Sequence, residues 1–181
     1  MTRWSLPATS FCLIRHGETT ANADNIIAGI TDVPLSAHGR SQAQALSIQA
    51  WPDQIALFSS PLSRAQDTCT LAFPDHEYAL HDGLRERDWG VFEGCPLAQQ
   101  PNRNDTPRGG ESWPAMLRRV HDAISEICAL PHGALPVLVC HSGIIRAARV
   151  LWTTGTVGDR PPNARPILFE ISDHTIEEKQ L

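Results

Sequence analysis

Pro136-Val137-Leu138-Val139-Cys140 is an uncharged run rich in β-branched residues, and it stops abruptly at His141-Ser142-Gly143. Such a run reads as a strand buried on both faces, which is how strands of a parallel sheet are covered. A helix through Ile144-Ile145 to Trp152 follows at once and supplies one cover. Two other stretches have the same form. Ser10-Phe11-Cys12-Leu13-Ile14 ends at Arg15-His16-Gly17, and Ile55-Ala56-Leu57-Phe58-Ser59 ends at Ser60-Pro61.

Helical segments separate these runs. Ser36 is a suitable N-cap for a helix to about Ala50, where Trp51-Pro52 stops it. Ser60-Pro61 opens another, with proline tolerated in the first turn because its missing N–H would be unpaired there. The longest helix starts near Ser112, and Trp113, Leu117, Val120, Ile124 and Ile127 share one of its faces. Pro166 to Ile171 can supply a late strand. The alternation predicts an α/β fold, a three-layer αβα sandwich around a mostly parallel sheet, in a single domain over residues 1–181.

Composition narrows the function. A chain of 181 residues with 41% hydrophobic residues can build a substantial core. Fifteen basic against twenty acidic residues leave a formal charge of -5, which argues against nucleic acid or an anionic membrane as partner. No apolar run approaches the roughly 18–20 residues of a bilayer span. Residues 1–11 lack the pattern of a secretory signal. The five scattered cysteines, an odd number without a C-x-x-C pair, read as small apolar residues in a reducing cytoplasm.

Three polar groups stand where strands end: Arg15-His16-Gly17, Ser59 to Arg64, and His141-Ser142-Gly143. Ligands of open α/β sheets bind outside the carboxyl ends of strands, so two imidazoles and two guanidiniums are expected to converge there. An anion suits such a cluster. A phosphoryl group fits best, because arginine offers forked donors matched to its oxygens and helix N-termini add backbone N–H groups. Two aperiodic segments, 94–110 and 153–165, have the length of binding loops and carry or adjoin Arg103, Arg108, Arg160 and Arg165.

Leu13-Ile14-Arg15-His16-Gly17-Glu18-Thr19 resembles the signature of the histidine phosphatase superfamily, the phosphoglycerate-mutase-like proteins. The likeness continues through Asn22, Pro34-Leu35-Ser36 to Gly39, Gln42-Ala43 and Ser59 to Ala65. It resumes at Leu84-Arg85-Glu86, Gly90, Phe92-Glu93-Gly94, Gly110-Glu111-Ser112 and His141-Ser142-Gly143.

The resemblance implies a phosphoglycerate-mutase-like fold and a role for each matched position. His16 would be the nucleophile, forming a phosphohistidine. Arg15 and Arg64 would bind phosphoryl oxygens, His141 would complete the pocket, and Glu86 would donate the proton to the leaving group. Thr19, Asn22, Gly17 and Ser142 would help hold the phosphate.

Thr19 and Asn22 can equally cap the loop, and Glu77, Asp88 and Glu93 stand near Glu86 as other acids. Glu93 is assigned an anchoring role, in a block that has Phe92 instead of the usual Trp. His38, His76, His81, His121, His132 and His174 are assigned to surface or structural roles.

The leading expectation is a phosphomonoesterase for a small-molecule phosphate ester, using neither metal nor cofactor. A phosphoglycerate mutase or other phosphotransferase of the superfamily is the alternative. A mutase needs a cover to keep water from its phosphoenzyme, and family mutases have a longer insertion after the Glu86 block and a longer tail. The short 94–110 segment therefore favours hydrolysis, including that of a ribazole phosphate. A catalytically inactive phosphate-binding module is the reading from another class.

Overall fold

The computed structural model describes residues 4–131 and 133–181. In chain order its elements are β1 (Phe11–Arg15), α1 (Thr20–Ala23), α2 (Ala37–Ala45), β2 (Ile55–Ser59), α3 (Ser63–Ala72) and β3 (Tyr78–Leu80). Then come α4 (Trp113–Ala129), β4 (Leu135–Cys140), α5 (Ser142–Trp152), β5 (Pro166–Ser172) and β6 (Thr175–Gln180). Among the described residues six strands form one sheet in the order β3-β2-β4-β1-β5-β6. The first four run parallel and β5 runs against them.

Alternation along the central strands divides the core into two layers. Phe11 and Leu13 of β1, with Leu138 and Cys140 of β4, pack under α4 and α5 against Val120, Ile124, Ile144 and Ala148. Cys12, Ile14, Val137 and Val139 face the other way, toward Leu46, Ala65, Cys69 and Phe73. The result is the expected αβα sandwich. On α4, Ser112 caps the N-terminus, and Met116 and Ala123 join the buried face while Leu117 lies at its margin.

Several boundaries differ from expectation. Helix α2 ends at Ala45 and the chain tightens into a 3-10 turn over Leu46–Ile48. Helix α3 begins at Ser63, so Pro61 lies in the preceding turn instead of the first helical turn. Strands β3 and β6 were not anticipated. The three residues of β3 are largely exposed and show no buried run. Strand β6 returns through a two-residue turn with Asp173 at φ 46° and His174 at φ 64°, the backbone of a tight hairpin. Asp-His adopts this turn without the glycine that usually advertises it.

Register brings the functional ends together. Arg15 pairs with Cys140 and Ser59 with Val139, so the chain leaves β1, β2 and β4 at the same edge of the sheet. The His16 N–H donates to Cys140 O at 3.0 Å and the Ser60 N–H to Val139 O at 2.9 Å. The loop after β1 is then pressed onto the first turn of α2. Ser36 N–H donates to Glu18 O, Gln42 Oε1 accepts from Glu18 N–H, and Ser36 Oγ donates to Glu18 Oε1. Gly17 and Gly39 meet back to back, and a Cβ on Gly17 would collide with the Gly39 carbonyl. Gly17→Ala is therefore expected to cost about 1–3 kcal/mol of stability in denaturant unfolding, because backbone must move to admit the methyl. An unchanged midpoint would show that this contact is slack.

Candidate active site

A cavity of about 270 Å³ opens at the strand ends. Arg15 and His16 reach it from β1, Arg64 from the start of α3, Ser142 and Gly143 from the start of α5, and Glu86 from the segment after β3. Thr19 and Asn22 line one side. The expected residues therefore converge. His141 lies behind the wall: it is fully buried, its ring centroid stands 5.2 Å from that of His16, and it does not itself line the cavity.

The two imidazoles are held by different groups. His16 Nδ1 lies 2.7 Å from its neighbour's carbonyl, Gly17 O. A carbonyl only accepts, so Nδ1 carries the proton and Nε2 keeps a lone pair. His141 Nε2 lies 2.7 Å from Ser60 Oγ, while its buried Nδ1 has no partner among the described residues. Burial holds both histidines well below the ordinary imidazole range. For both, the charges of Arg64 and Arg15 add to that effect.

The arginines are tied to loops. Arg15 Nη1 donates to Pro161 O at 2.8 Å, and its buried Nε is unpartnered among the described residues. Arg64 lies in the first turn of α3 as expected, but its two terminal nitrogens donate to Thr31 O and Gly29 O. The resemblance has Arg64 binding phosphoryl oxygens; it lines the cavity and also anchors the 29–31 loop. Burial, with Arg160 adding repulsion, pushes Arg15 down to about 10, so it stays charged at neutral pH.

Glu86 is aimed by two backbone donors. Its Oε1 accepts from Arg87 N–H at 2.8 Å and its Oε2 from Gly143 N–H at 3.0 Å, at the positive end of α5. A side chain at Gly143 would strike the Glu86 carboxylate, so glycine there is a condition of the carboxylate's position. Glu111 grips Arg119 with both oxygens, and Arg119 Nη1 holds the Gly83 and Arg85 carbonyls, fixing the segment that delivers Glu86. Glu93 anchors, as expected: its oxygens accept from the Ile30, Thr31 and Trp89 N–H groups.

Thr19 and Asn22 cap α1 reciprocally, each side-chain oxygen accepting the other's backbone N–H, while still facing the cavity. Gly17 departs from its expected place. Its N–H donates to Thr68 Oγ1 at 2.9 Å and it does not line the cavity; its small size serves the approach to Gly39. Asn163 was not anticipated. Its Nδ2 holds His16 O at 2.8 Å, and the next residue, Ala164, adopts φ 48° to donate to Arg15 O. That backbone costs a non-glycine residue about 1–2 kcal/mol.

Arg103 and Arg160, noted only as loop residues, line the cavity, whereas Arg108 and Arg165 do not. Arg146 on α5 also lines it and gave no sequence signal beyond its charge. Of the histidines assigned elsewhere, the described ones stay outside this cavity, and His132 lies outside the described residues. No group of three His, Cys, Asp or Glu that could hold a metal occurs among the described residues. No described helix is long and apolar enough to cross a membrane.

The chain belongs to the histidine phosphatase superfamily (branch 1), whose model matches residues 11–164. Among solved structures it is similar to a candidate alpha-ribazole-5'-P phosphatase from Escherichia coli, at 26% identity, 96% of each chain and TM-score 0.83. It is also similar to a phosphoglycerate mutase from Thermus thermophilus, at 31% identity, 95% of this chain, 98% of the other and TM-score 0.76. An open-reading-frame product from Mycobacterium tuberculosis, 22% identical with 96% of each chain covered and TM-score 0.84, shares the fold. No curated protein matches the chain in sequence.

The buried imidazoles make stability depend on pH. Their folded pKa values lie below the unfolded value of 6.5, so below that pH the unfolded chain takes up protons that the folded chain refuses. Stability is expected to be level above about pH 7 and to fall on acidification, by about 1.4 kcal/mol per pH unit for each ring. Denaturant unfolding between about pH 7.5 and 5.5, above the carboxylate range, checks this. Equal stability at both ends would show that the folded rings take protons freely.

Proposed function

We propose that this chain, as a single domain, is a phosphomonoesterase that hydrolyses a small-molecule phosphate ester through a phosphohistidine. The observation that carries the reading is the His16 tautomer. The Gly17 carbonyl fixes the proton on Nδ1, and burial beside Arg15 and Arg64 keeps the ring neutral, so Nε2 is ready to attack.

Nε2 bonds to phosphorus as the ester P–O bond breaks. Arg15 and Arg64 meet the charge on the phosphoryl oxygens, and Glu86 gives its proton to the departing oxygen. In the second half, water attacks phosphorus, Glu86 takes its proton, the N–P bond breaks and inorganic phosphate leaves. His16 is restored with its lone pair.

Water as acceptor is supported by the 94–110 segment. Arg87, fully buried, spends three donors on the carbonyls of Arg103, Asp105 and Glu111. That ties this segment down as a wall, which argues against its closing as a cover to exclude water from a phosphoenzyme. Chain length is a weaker argument, because the similar mutase from Thermus thermophilus is matched over nearly its whole length. That likeness favours phosphoryl transfer as the second reading. Partition of a labelled phosphoenzyme between water and a hydroxyl acceptor separates the two.

Leaving-group chemistry tests the acid. Glu86→Gln is expected to slow phosphoenzyme formation from an alkyl phosphate by about 10²–10⁴ and from a nitrophenyl phosphate far less, since nitrophenolate departs almost unaided. His16→Ala is expected to abolish both. Equal effects of Glu86→Gln in single-turnover measurements would remove Glu86 as the acid and bring Asp88 or Glu93 forward.

Metal dependence tests the rest. Among the described residues, His16 and Glu86 are the only imidazole and carboxylate on the cavity wall, against five guanidiniums that repel a cation. Activity is expected to survive chelator within about twofold. Loss that a divalent ion restores would overturn the mechanism.

A further inference from the structure

Among the described residues five arginines line the cavity, Arg15, Arg64, Arg103, Arg146 and Arg160, against a single carboxylate, Glu86. A phosphoryl group on His16 accounts for Arg15 and Arg64, which flank it. The remaining three come from separate elements: Arg103 from the 94–110 segment, Arg146 from α5 and Arg160 from the 153–165 segment. We infer that these three form a second anion subsite, so that the substrate carries another anionic group, a carboxylate or second phosphate, beyond the phosphoryl that reacts. The inference rests on the hydrolytic reading of the same cavity.

Two of these arginines hold buried donors in reserve. Arg103 Nη1 and Arg146 Nε are buried without a partner among the described residues, as is Arg15 Nε in the phosphoryl subsite. An unmade charged hydrogen bond in a buried place is unfavourable unless a ligand completes it. The groups are also set in place. Arg103 lies over the Trp113 ring, its Cζ 4.8 Å from the centroid, and its own carbonyl is held by Arg87. Arg146 sits on a helix whose neighbouring residues are core.

The charges facing one another are unbalanced. Arg103 is pushed down to about 10, first by burial and then by Arg146, with Glu86 opposing. Arg146 is lowered by burial and then by Arg160 and Arg149, with Glu86 and Asp159 opposing. In a chain of net charge -5 this concentration of positive charge is local. The cavity is small, about 270 Å³, and its remaining wall includes Ile26, Ile27, Trp89 and Leu97. A compact ester with a short carbon skeleton between two anionic ends fits it; a long polyanion does not.

Binding of non-hydrolysable phosphonates tests the subsite apart from turnover. Calorimetry at low ionic strength would compare propylphosphonate, 3-phosphonopropanoate and ethane-1,2-bisphosphonate. One or both doubly functional ligands are expected to bind at least about tenfold tighter than propylphosphonate, and the tighter of the two identifies the second group as carboxylate or phosphate. Arg103→Met and Arg146→Met are each expected to bring that ratio severalfold toward one, whereas exposed Arg118→Met leaves it in place. Equal affinity of the three ligands for the unaltered protein, or no binding of any, overturns the subsite. Nitrophenyl phosphate turnover judges the parent reading separately. Turnover without a ligand preference keeps hydrolysis and removes the subsite; preference without turnover does the reverse.

Discussion

Guanidinium groups inside the fold are the constraint on which the rest of the structure depends. Arg15, Arg64 and Arg87 are almost wholly buried, and no guanidinium of the three has a carboxylate among its hydrogen-bond partners in the described residues. Each is met by loop carbonyls instead: Pro161 for Arg15, Gly29 and Thr31 for Arg64, and three carbonyls between 103 and 111 for Arg87. A carbonyl supplies partial negative charge without cancelling the positive one. The cations are thereby solvated enough to be buried and still able to attract an anion. The same bonds hold the loops, so the aperiodic segments take their shape from the arginines they shield.

Close backbone approach is the second requirement, and it accounts for the matched glycines. Gly17 against Gly39 lets the strand-end loop sit on the first turn of α2, where Ser36 and Gln42 bind Glu18. Gly143 lets the Glu86 carboxylate reach the N-terminus of α5. Gly90, at φ 54°, passes the Arg108 and Gly110 backbone, where a Cβ would collide. Each permits a polar contact that fixes a loop, and each stands in a sequence block that carried the family resemblance.

What could be read from sequence follows from where information is local. Strands β1, β2 and β4 announce themselves through continuous apolar runs, and the segments that follow them carry polar groups that line the cavity. Helix α4 shows its face through spacing and its start through Ser112. Strand β3 is short and largely exposed, so it has no pattern, and its identity comes from pairing with β2. The β5–β6 hairpin depends on an Asp-His turn whose backbone its residue types do not demand. The dual service of Arg64 and the bond from Asn163 to His16 O span tens of residues in sequence, and residue type alone cannot show them.

Arg146 makes the same point for the site. Its turn of α5 contributes Ile144, Ile145, Ala147 and Ala148 to the core, so the helix must present residue 146 away from that core. Because α5 starts at the sheet edge beside His141, that direction is the cavity. A charged residue four positions into a helix that begins at a reacting strand end is thus placed by the fold before any ligand arrives. Arg103 and Arg160 have no such helical register. Arg103 depends on Arg87 and Trp113 for its place, while Arg160 stands exposed next to Pro161, whose carbonyl holds Arg15. The cavity wall therefore grades from a rigid end around His16, built on strands and helix starts, to an end built on loops. Substitutions that alter which ligand is accepted have most room in those loops, because a change there leaves the central strands and their register intact.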